Sequence, residues 1–123
     1  MKKIFVINLG TTSTKIAYYE NENCLYKENL QHDADEIKQY NTVWDQFGLR
    51  KKAIDDFMAL HDIKVHELDA FVSRGGHTEP LTSGVYKINK KMLEESASMK
   101  YGNHVSDLGL KLAYEYSKEG PLP

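Results

Sequence analysis

A short polar segment, NLGTTSTK at residues 8–15, follows an apolar run and combines a glycine, four hydroxyls and a lysine. A glycine-containing turn lets backbone N–H groups approach a phosphate closely, and the hydroxyls and the ammonium add side-chain donors. The spacing differs from that of a Walker A loop. The candidate phosphate ligands are Gly10, Thr11, Thr12, Ser13 and Lys15. The alternative is an ordinary hairpin whose hydroxyls make only turn hydrogen bonds.

Asn8 places an amide at the end of the apolar run that starts at Ile4. A buried amide costs free energy unless it is hydrogen-bonded, so we expect Asn8 to face the turn. There it could serve as a neutral ligand of a phosphate, or contact a metal ion indirectly through water. The alternative is an amide that caps the turn itself.

Arg74 follows a short apolar run and precedes two glycines, Gly75 and Gly76. The planar guanidinium suits a carboxylate or a phosphoryl group, and the glycines leave space for a ligand beside it. Ligands of open α/β sheets bind at the carboxyl ends of strands. The alternative is an arginine in a structural ion pair.

His104 precedes a predicted helix. A helix N-terminus favours a neutral imidazole and attracts anions, so His104 could donate a hydrogen bond to a transferring phosphoryl group. The alternative is a structural histidine.

The composition restricts the partners. The chain has 123 residues and a formal net charge of -2, and its acids and bases are interspersed, unlike the basic surface of a nucleic-acid-binding protein. The single Cys24 cannot form an internal disulfide, and no apolar run approaches the roughly 20 residues of a membrane span. We therefore predict a cytoplasmic domain without nucleic-acid or membrane partners.

The apolar pattern predicts an antiparallel meander of three strands near residues 4–7, 16–19 and 24–30. Asp33 and Glu36 have the spacing of a helix N-cap and its capping-box partner, and apolar residues then recur at helical intervals up to Phe47. Gly48 is expected to interrupt this helix before a second helical segment.

A strand over residues 68–72 follows, and residues 85–88 could form another short strand. Asn89 is predicted to cap a helix, and a last helix is predicted from about His104 to Gly120, the expected C′ residue. A helix after a parallel strand normally crosses back to a further strand. The order β, β, β, α, β, α, α therefore predicts a fragment that lacks its final strand.

Four segments together carry a resemblance that covers essentially the whole chain: INLGTTSTK, YNTVWDQFGLRKKAI, SRGGHTEPLTSGVYKIN and GNHVSDLG. They resemble the acetate and butyrate kinase family, and within it the butyrate kinases. The resemblance implies an α/β fold of the actin-like ATPase (ribonuclease H-like) type, with an antiparallel meander, a βαβ crossover and packed helices. Residues 1–123 would be the N-terminal part of the first of two such domains.

The implied reaction is the reversible, Mg²⁺-dependent transfer of the ATP γ-phosphoryl group to a short-chain carboxylate, which yields an acyl phosphate and ADP. Position by position, Asn8, the turn at 10–13 and Lys15 match the first phosphate motif of the family. Arg74 matches an arginine at the carboxylate and the transferring phosphoryl group, and His104 matches a histidine near that group.

The chain departs from the family pattern at Leu9, Thr11 and His77, where proline, serine and an apolar residue are usual. Acetate kinases carry bulky valines just after the arginine, so Gly75 and Gly76 imply room for acids of four carbons or more. The remaining catalytic residues and the adenosine pocket of the family lie beyond Pro123, which implies an inactive fragment. The resemblance also implies that the complete protein is a homo-oligomer. The alternatives are a branched-chain or other short-chain carboxylate kinase, and a truncated phosphate-binding or interaction module.

Overall fold

The computed structural model describes residues 1–74, 84–98 and 104–123. Over these residues the sheet has four strands in the order β3-β2-β1-β4. The strands are β1 (Lys3–Leu9), β2 (Ser13–Glu20), β3 (Asn23–Gln31) and β4 (Ala70–Ser73). β1, β2 and β3 are joined antiparallel, whereas β4 lies parallel to β1. The predicted α/β class, with a mixed sheet that begins as an antiparallel meander, is confirmed.

Helices connect and cover these strands. They are α1 (Ala34–Lys38), α2 (Phe47–Leu60), α3 (Lys90–Ala97) and α4 (Val105–Ser117), with short 3-10 helices at Val43–Gln46 and Val65–Glu67. Two predicted N-caps are confirmed: an oxygen of Asp33 accepts from the Asp35 N–H at 2.7 Å, and Asn89 accepts from the Met92 N–H at 2.9 Å. None of the described helices has both the length and the apolar character needed to cross a bilayer.

The prediction of one helix from Asp33 to Phe47 is wrong. α1 ends at Lys38, and Thr42 begins a new helical segment with an extended backbone and its own capping box. Its hydroxyl accepts from the Asp45 N–H at 3.4 Å, while the Thr42 N–H donates to the Asp45 carboxylate at 3.2 Å. This local cap competes successfully with continuation of α1.

The two helical segments predicted to meet near Gly48 do so one to two residues earlier, where the 3-10 helix ends at Gln46 and α2 begins at Phe47. Gly48 itself does not interrupt the helix, since it lies in the first turn of α2. No atom lies within 4 Å of the place where its Cβ would stand. No close contact therefore requires a glycine here, and its effect on α2 is the lower helix propensity of glycine compared with alanine.

The core lies on one face of the sheet. Strand alternation buries Phe5, Ile7 and Leu9 of β1 on this face. The Phe5 ring lies 5.1 Å from the ring of Phe71 in β4, which in turn stacks on Tyr116 of α4 at 4.6 Å. Five side chains on one face of α4 are buried against this sheet: Val105, Leu108, Leu112, Ala113 and Tyr116.

The C-terminal part corrects two further predictions. Residues 85–88 form no strand, although the Ile88 N–H donates to the carbonyl of Pro123 at 3.4 Å. The C-cap of α4 is Lys118, so Gly120 is not the C′ residue but the residue after it. There Gly120 adopts a φ of 133°.

Residues at the end of the chain pair with the outer edge of β4. Leu122 forms a parallel bridge with Ala70, in which the Phe71 N–H donates to the Leu122 carbonyl at 2.8 Å and the Leu122 N–H donates to Asp69 at 3.0 Å.

Candidate functional site

Most of the predicted site residues line one cleft of about 220 Å³. Its lining is Asn8, Leu9, Gly10, Thr11, Ser13, Lys15, Arg74 and His104. Thr12 belongs to the same turn but does not line the cleft. Gly75 and Gly76, predicted to shape the carboxylate pocket, lie outside the described residues, as does His77. The structure thus brings together three regions that are distant in sequence.

Strand register explains this convergence. β1 and β4 are parallel, and Ile7 is opposite Ser73, so their carboxyl ends lie at the same edge of the sheet. The next residues along the two strands are Asn8 and Arg74. β2 starts at this edge, and its Lys15 is directly opposite Asn8, which places both side chains on one face.

α4 begins at the same edge because it packs closely on β4. A side chain at Gly109 of α4 would overlap the Ser73 hydroxyl at the end of β4. The glycine permits this close approach, and His104, just before α4, lines the same cleft as Arg74. The Arg74 side chain is exposed and has no ion-pair partner among the residues that the structure describes.

His104 has a defined ring orientation. Its ring Nδ1 accepts from the Ser106 N–H at 3.1 Å. The backbone N–H of His104 donates to the Asp107 carboxylate at 2.9 Å, which completes a capping box. A neutral imidazole that accepts at Nδ1 carries its proton on Nε2. His104 is therefore a helix cap, and it lines the cleft with Nε2 left as the donor nitrogen of a neutral ring.

The turn between β1 and β2 presents donors, because its carbonyl groups are bonded elsewhere. The Gly10 N–H closes the turn on the Ser13 carbonyl at 2.8 Å, and the Thr12 carbonyl accepts from the His32 N–H at 2.8 Å. In the described part of the chain, the Thr11 and Thr12 N–H groups have no intramolecular partner. Free N–H groups in a turn are typical of anion sites.

Arg50 of α2 bonds the remaining carbonyls of the turn. Its Nη2 donates to Gly10 at 3.0 Å and to Thr11 at 3.1 Å, and its Nη1 donates to the Ser13 carbonyl at 2.6 Å. Arg50 is 0% exposed. Sequence reasoning missed this residue, although an arginine four positions before the apolar Ile54 on one helix face was an available signal.

His32 completes the support of the turn. Its Nε2 lies 2.8 Å from the hydroxyl of Thr14, which also accepts from Arg50 Nη1 at 3.0 Å. Burial, and after it the Arg50 charge, lowers the pKa of His32. A neutral His32 can accept the Thr14 proton at Nε2, so both bonds of this buried hydroxyl are satisfied.

The donor set of the cleft suits an anion. Two cationic residues, Lys15 and Arg74, line it together with His104. No carboxylate lines the cleft in the described residues, which also hold no cluster of three or more His, Cys, Asp or Glu side chains. These residues fit phosphate groups, whereas for a Mg²⁺ ion the side chains of the cleft offer only neutral oxygens, those of Asn8, Thr11 and Ser13.

Comparisons with known proteins give the same assignment as the motifs. No family model matches the chain. "Butyrate kinase 1" of Clostridium acetobutylicum is 43% identical over 123 residues, all of this chain. Proteins named "Probable butyrate kinase" are 36% identical in Coprothermobacter proteolyticus and 40% identical in Clostridium botulinum, each over 98% of the chain. The chain spans only 34 to 35% of the length of these relatives. This chain is therefore homologous over its whole length to these butyrate kinases, and it corresponds to about one third of the length of each.

Proposed function

We propose that the chain is part of a butyrate kinase, which transfers the γ-phosphoryl group of ATP reversibly to butyrate and so forms butyryl phosphate and ADP. One observation carries this proposal: in a chain 36 to 43% identical to butyrate kinases, Asn8, Lys15, Arg74 and His104 line a single cleft. Phosphoryl transfer requires mainly positioning and charge stabilisation, which such a donor set supplies without a covalent nucleophile.

Each group has a distinct role in this proposal. The free N–H group of Thr11 and the Lys15 ammonium, which line the cleft, hold ATP phosphate oxygens, and the free N–H group of Thr12 adds a donor beside them in the same turn. Arg74 holds the butyrate carboxylate and then the transferring phosphoryl group, since its fork can bond two oxygens at once. His104 donates from Nε2 to a phosphoryl oxygen as charge develops there. Mg²⁺, when bound, would neutralise phosphate charge, and Asn8 would orient a water molecule beside it.

The homology also supports an actin-like fold for the complete protein, with residues 1–123 as the N-terminal part of its first domain. The chain corresponds to 35% of Butyrate kinase 1. The remaining catalytic groups and the adenosine pocket would belong to the rest of the protein, and closure of two domains would exclude water from the site.

The substrate is tested by a series of acids. The complete protein is incubated with ATP, Mg²⁺ and straight or branched carboxylic acids of two to six carbons, and acyl phosphate is trapped as hydroxamate. Because each buried methylene contributes about 0.8 kcal/mol, butyrate should exceed acetate in kcat/KM by roughly tenfold. Equal or better turnover of acetate would refute the pocket prediction from Gly75 and Gly76, and a better branched acid would identify a branched-chain carboxylate kinase.

A further inference from the structure

Arg50 is a buried cation with only neutral partners. Its guanidinium makes contacts with the carbonyls of Gly10, Thr11 and Ser13, the hydroxyl of Thr14 and the side-chain oxygen of Gln46. The side chain is 0% exposed, and no carboxylate pairs with it among the residues that the structure describes.

A buried arginine that serves stability alone is normally paired with a carboxylate, because an uncompensated buried charge is costly. Here all five N–H donors are used, yet the positive charge is not neutralised. Burial lowers the pKa of Arg50 to about 10, so the group stays charged at neutral pH. Its field therefore favours an anion bound on the other side of the turn.

The contacts also fix the direction of the peptide groups. When the carbonyls of Gly10, Thr11 and Ser13 are held by the guanidinium, the Thr11 and Thr12 N–H groups are left without a partner in the described residues. The turn would otherwise be free to rotate a carbonyl oxygen toward the cleft, where it would repel a phosphate. A fixed donor surface requires no rearrangement when the anion binds.

We propose that Arg50 is a positioning residue for nucleotide phosphate binding: from beneath the turn it holds the carbonyls away from the cleft and supplies an uncompensated positive charge. The identity of the anion as ATP rests on the proposed function. The presence of an anion site does not.

The sharpest test changes Gln46, whose side-chain oxygen accepts from Arg50 Nε at 3.1 Å and from Nη2 at 2.9 Å. Gln46→Glu keeps the shape and the bonds but places a carboxylate against the guanidinium. We expect equal or higher Tm together with a rise of about five- to tenfold in the Kd for ATP, measured by calorimetry on the complete protein. An Arg50 that acted only in stability would leave the Kd unchanged.

The matched control is Lys52→Gln, which changes the net charge by the same amount on α2. Lys52 is exposed and pairs with Asp56 at 2.8 Å, so its loss should leave the Kd for ATP within about twofold. Arg50→Lys, which retains charge but loses the fork, should weaken ATP binding by about tenfold, with little change in the KM for butyrate.

The outcomes separate the two proposals. If Gln46→Glu is folded and binds ATP as tightly as the natural protein, or if Lys52→Gln weakens binding equally, the role of Arg50 is refuted. If the natural protein forms no acyl phosphate but Gln46→Glu and Arg50→Lys still weaken the binding of ATP or inorganic tripolyphosphate, the positioning role stands and the butyrate kinase proposal fails.

Discussion

Substitution of Arg74 tests the proposed catalytic role apart from stability. Its side chain is exposed, lines the cleft and has no ion-pair partner in the described part of the chain. We expect Arg74→Ala to lower kcat/KM for butyrate by about 10²- to 10³-fold, the usual effect of losing a transition-state donor, with Tm nearly unchanged. Steady-state kinetics and a thermal melt provide the two measurements. An unchanged kcat/KM would remove Arg74 from the site.

His104 caps α4, and substitutions can separate this cap from the donor role proposed for its Nε2. Asparagine is a good N-cap and can accept from the Ser106 N–H as Nδ1 of His104 does, but it lacks a donor at the place of Nε2. We expect His104→Asn to retain Tm and to lower kcat by about 10²-fold. His104→Ala should also lose about 1 kcal/mol of unfolding free energy in urea titrations. Full activity of the folded asparagine variant would show that His104 acts only as a cap.

His32 makes the stability of the turn depend on pH. Burial, and after it the Arg50 charge, lowers the pKa of His32, while Glu36 opposes the shift. The folded protein then binds fewer protons than the unfolded chain. The stabilising contribution is therefore complete above about pH 6.5 and is lost as the pH falls through the lowered pKa.

We accordingly expect Tm to decrease as the pH falls below about 6.5 and His32→Gln to reduce this decrease. Thermal melts between about pH 5 and pH 8 measure it. His66→Gln, at an exposed position away from the turn, is the control. An identical pH profile for the natural protein and for His32→Gln would contradict the prediction.

At the scale of elements, Gly109 controls the distance between α4 and β4. A methyl group there would overlap the Ser73 hydroxyl and displace the start of α4 from the edge of the sheet. We expect Gly109→Ala to cost about 1–3 kcal/mol of unfolding free energy in urea and to lower kcat, since His104 would shift relative to Arg74.

Gly48→Ala is the matched control, since that glycine lies in a helix with open space around it. It should raise the unfolding free energy by up to about 1 kcal/mol and leave activity unchanged. A stabilising Gly109→Ala would show that α4 can move without consequence for the fold.

Most of the helices and strands, and most of the candidate site residues, could be predicted from local sequence patterns. The polar turn after β1, the arginine at the end of β4 and the histidine before α4 each have a recognisable sequence context, and the cap residues Asp33 and Asn89 are confirmed. The break before Thr42 could not be predicted, because both Asp33 and Thr42 can cap a helix and the spacing of apolar residues does not show where one helix ends.

The support of the turn could not be predicted in the same way. Arg50 bonds carbonyl groups 37 to 40 residues earlier in the chain, and backbone acceptors leave no mark on the sequence. Residue type indicated only that a cation lies on the buried face of α2. Its partners depend on how α2 packs against the end of the β1–β2 hairpin, which is tertiary information.

At the scale of the whole molecule, the cleft supplies cations and donors but no carboxylate from the described residues. The chain also spans about a third of its curated relatives. We expect an isolated polypeptide of residues 1–123 to form no butyryl phosphate, because positioning and exclusion of water require the rest of the site. The hydroxamate assay compares it with the complete protein at equal concentration. Comparable turnover by the isolated polypeptide would contradict a site shared with the rest of the protein.

The direction of β1 has a practical consequence for biosensors. The strand begins at Lys3, next to an exposed Met1, and reaches the cleft at Leu9, about 20 Å away for an extended segment of this length. Immobilising the protein through a tag at Met1 would therefore leave the cleft open to ligands in solution. Random coupling through lysine amines would also modify Lys15 and block the surface under measurement.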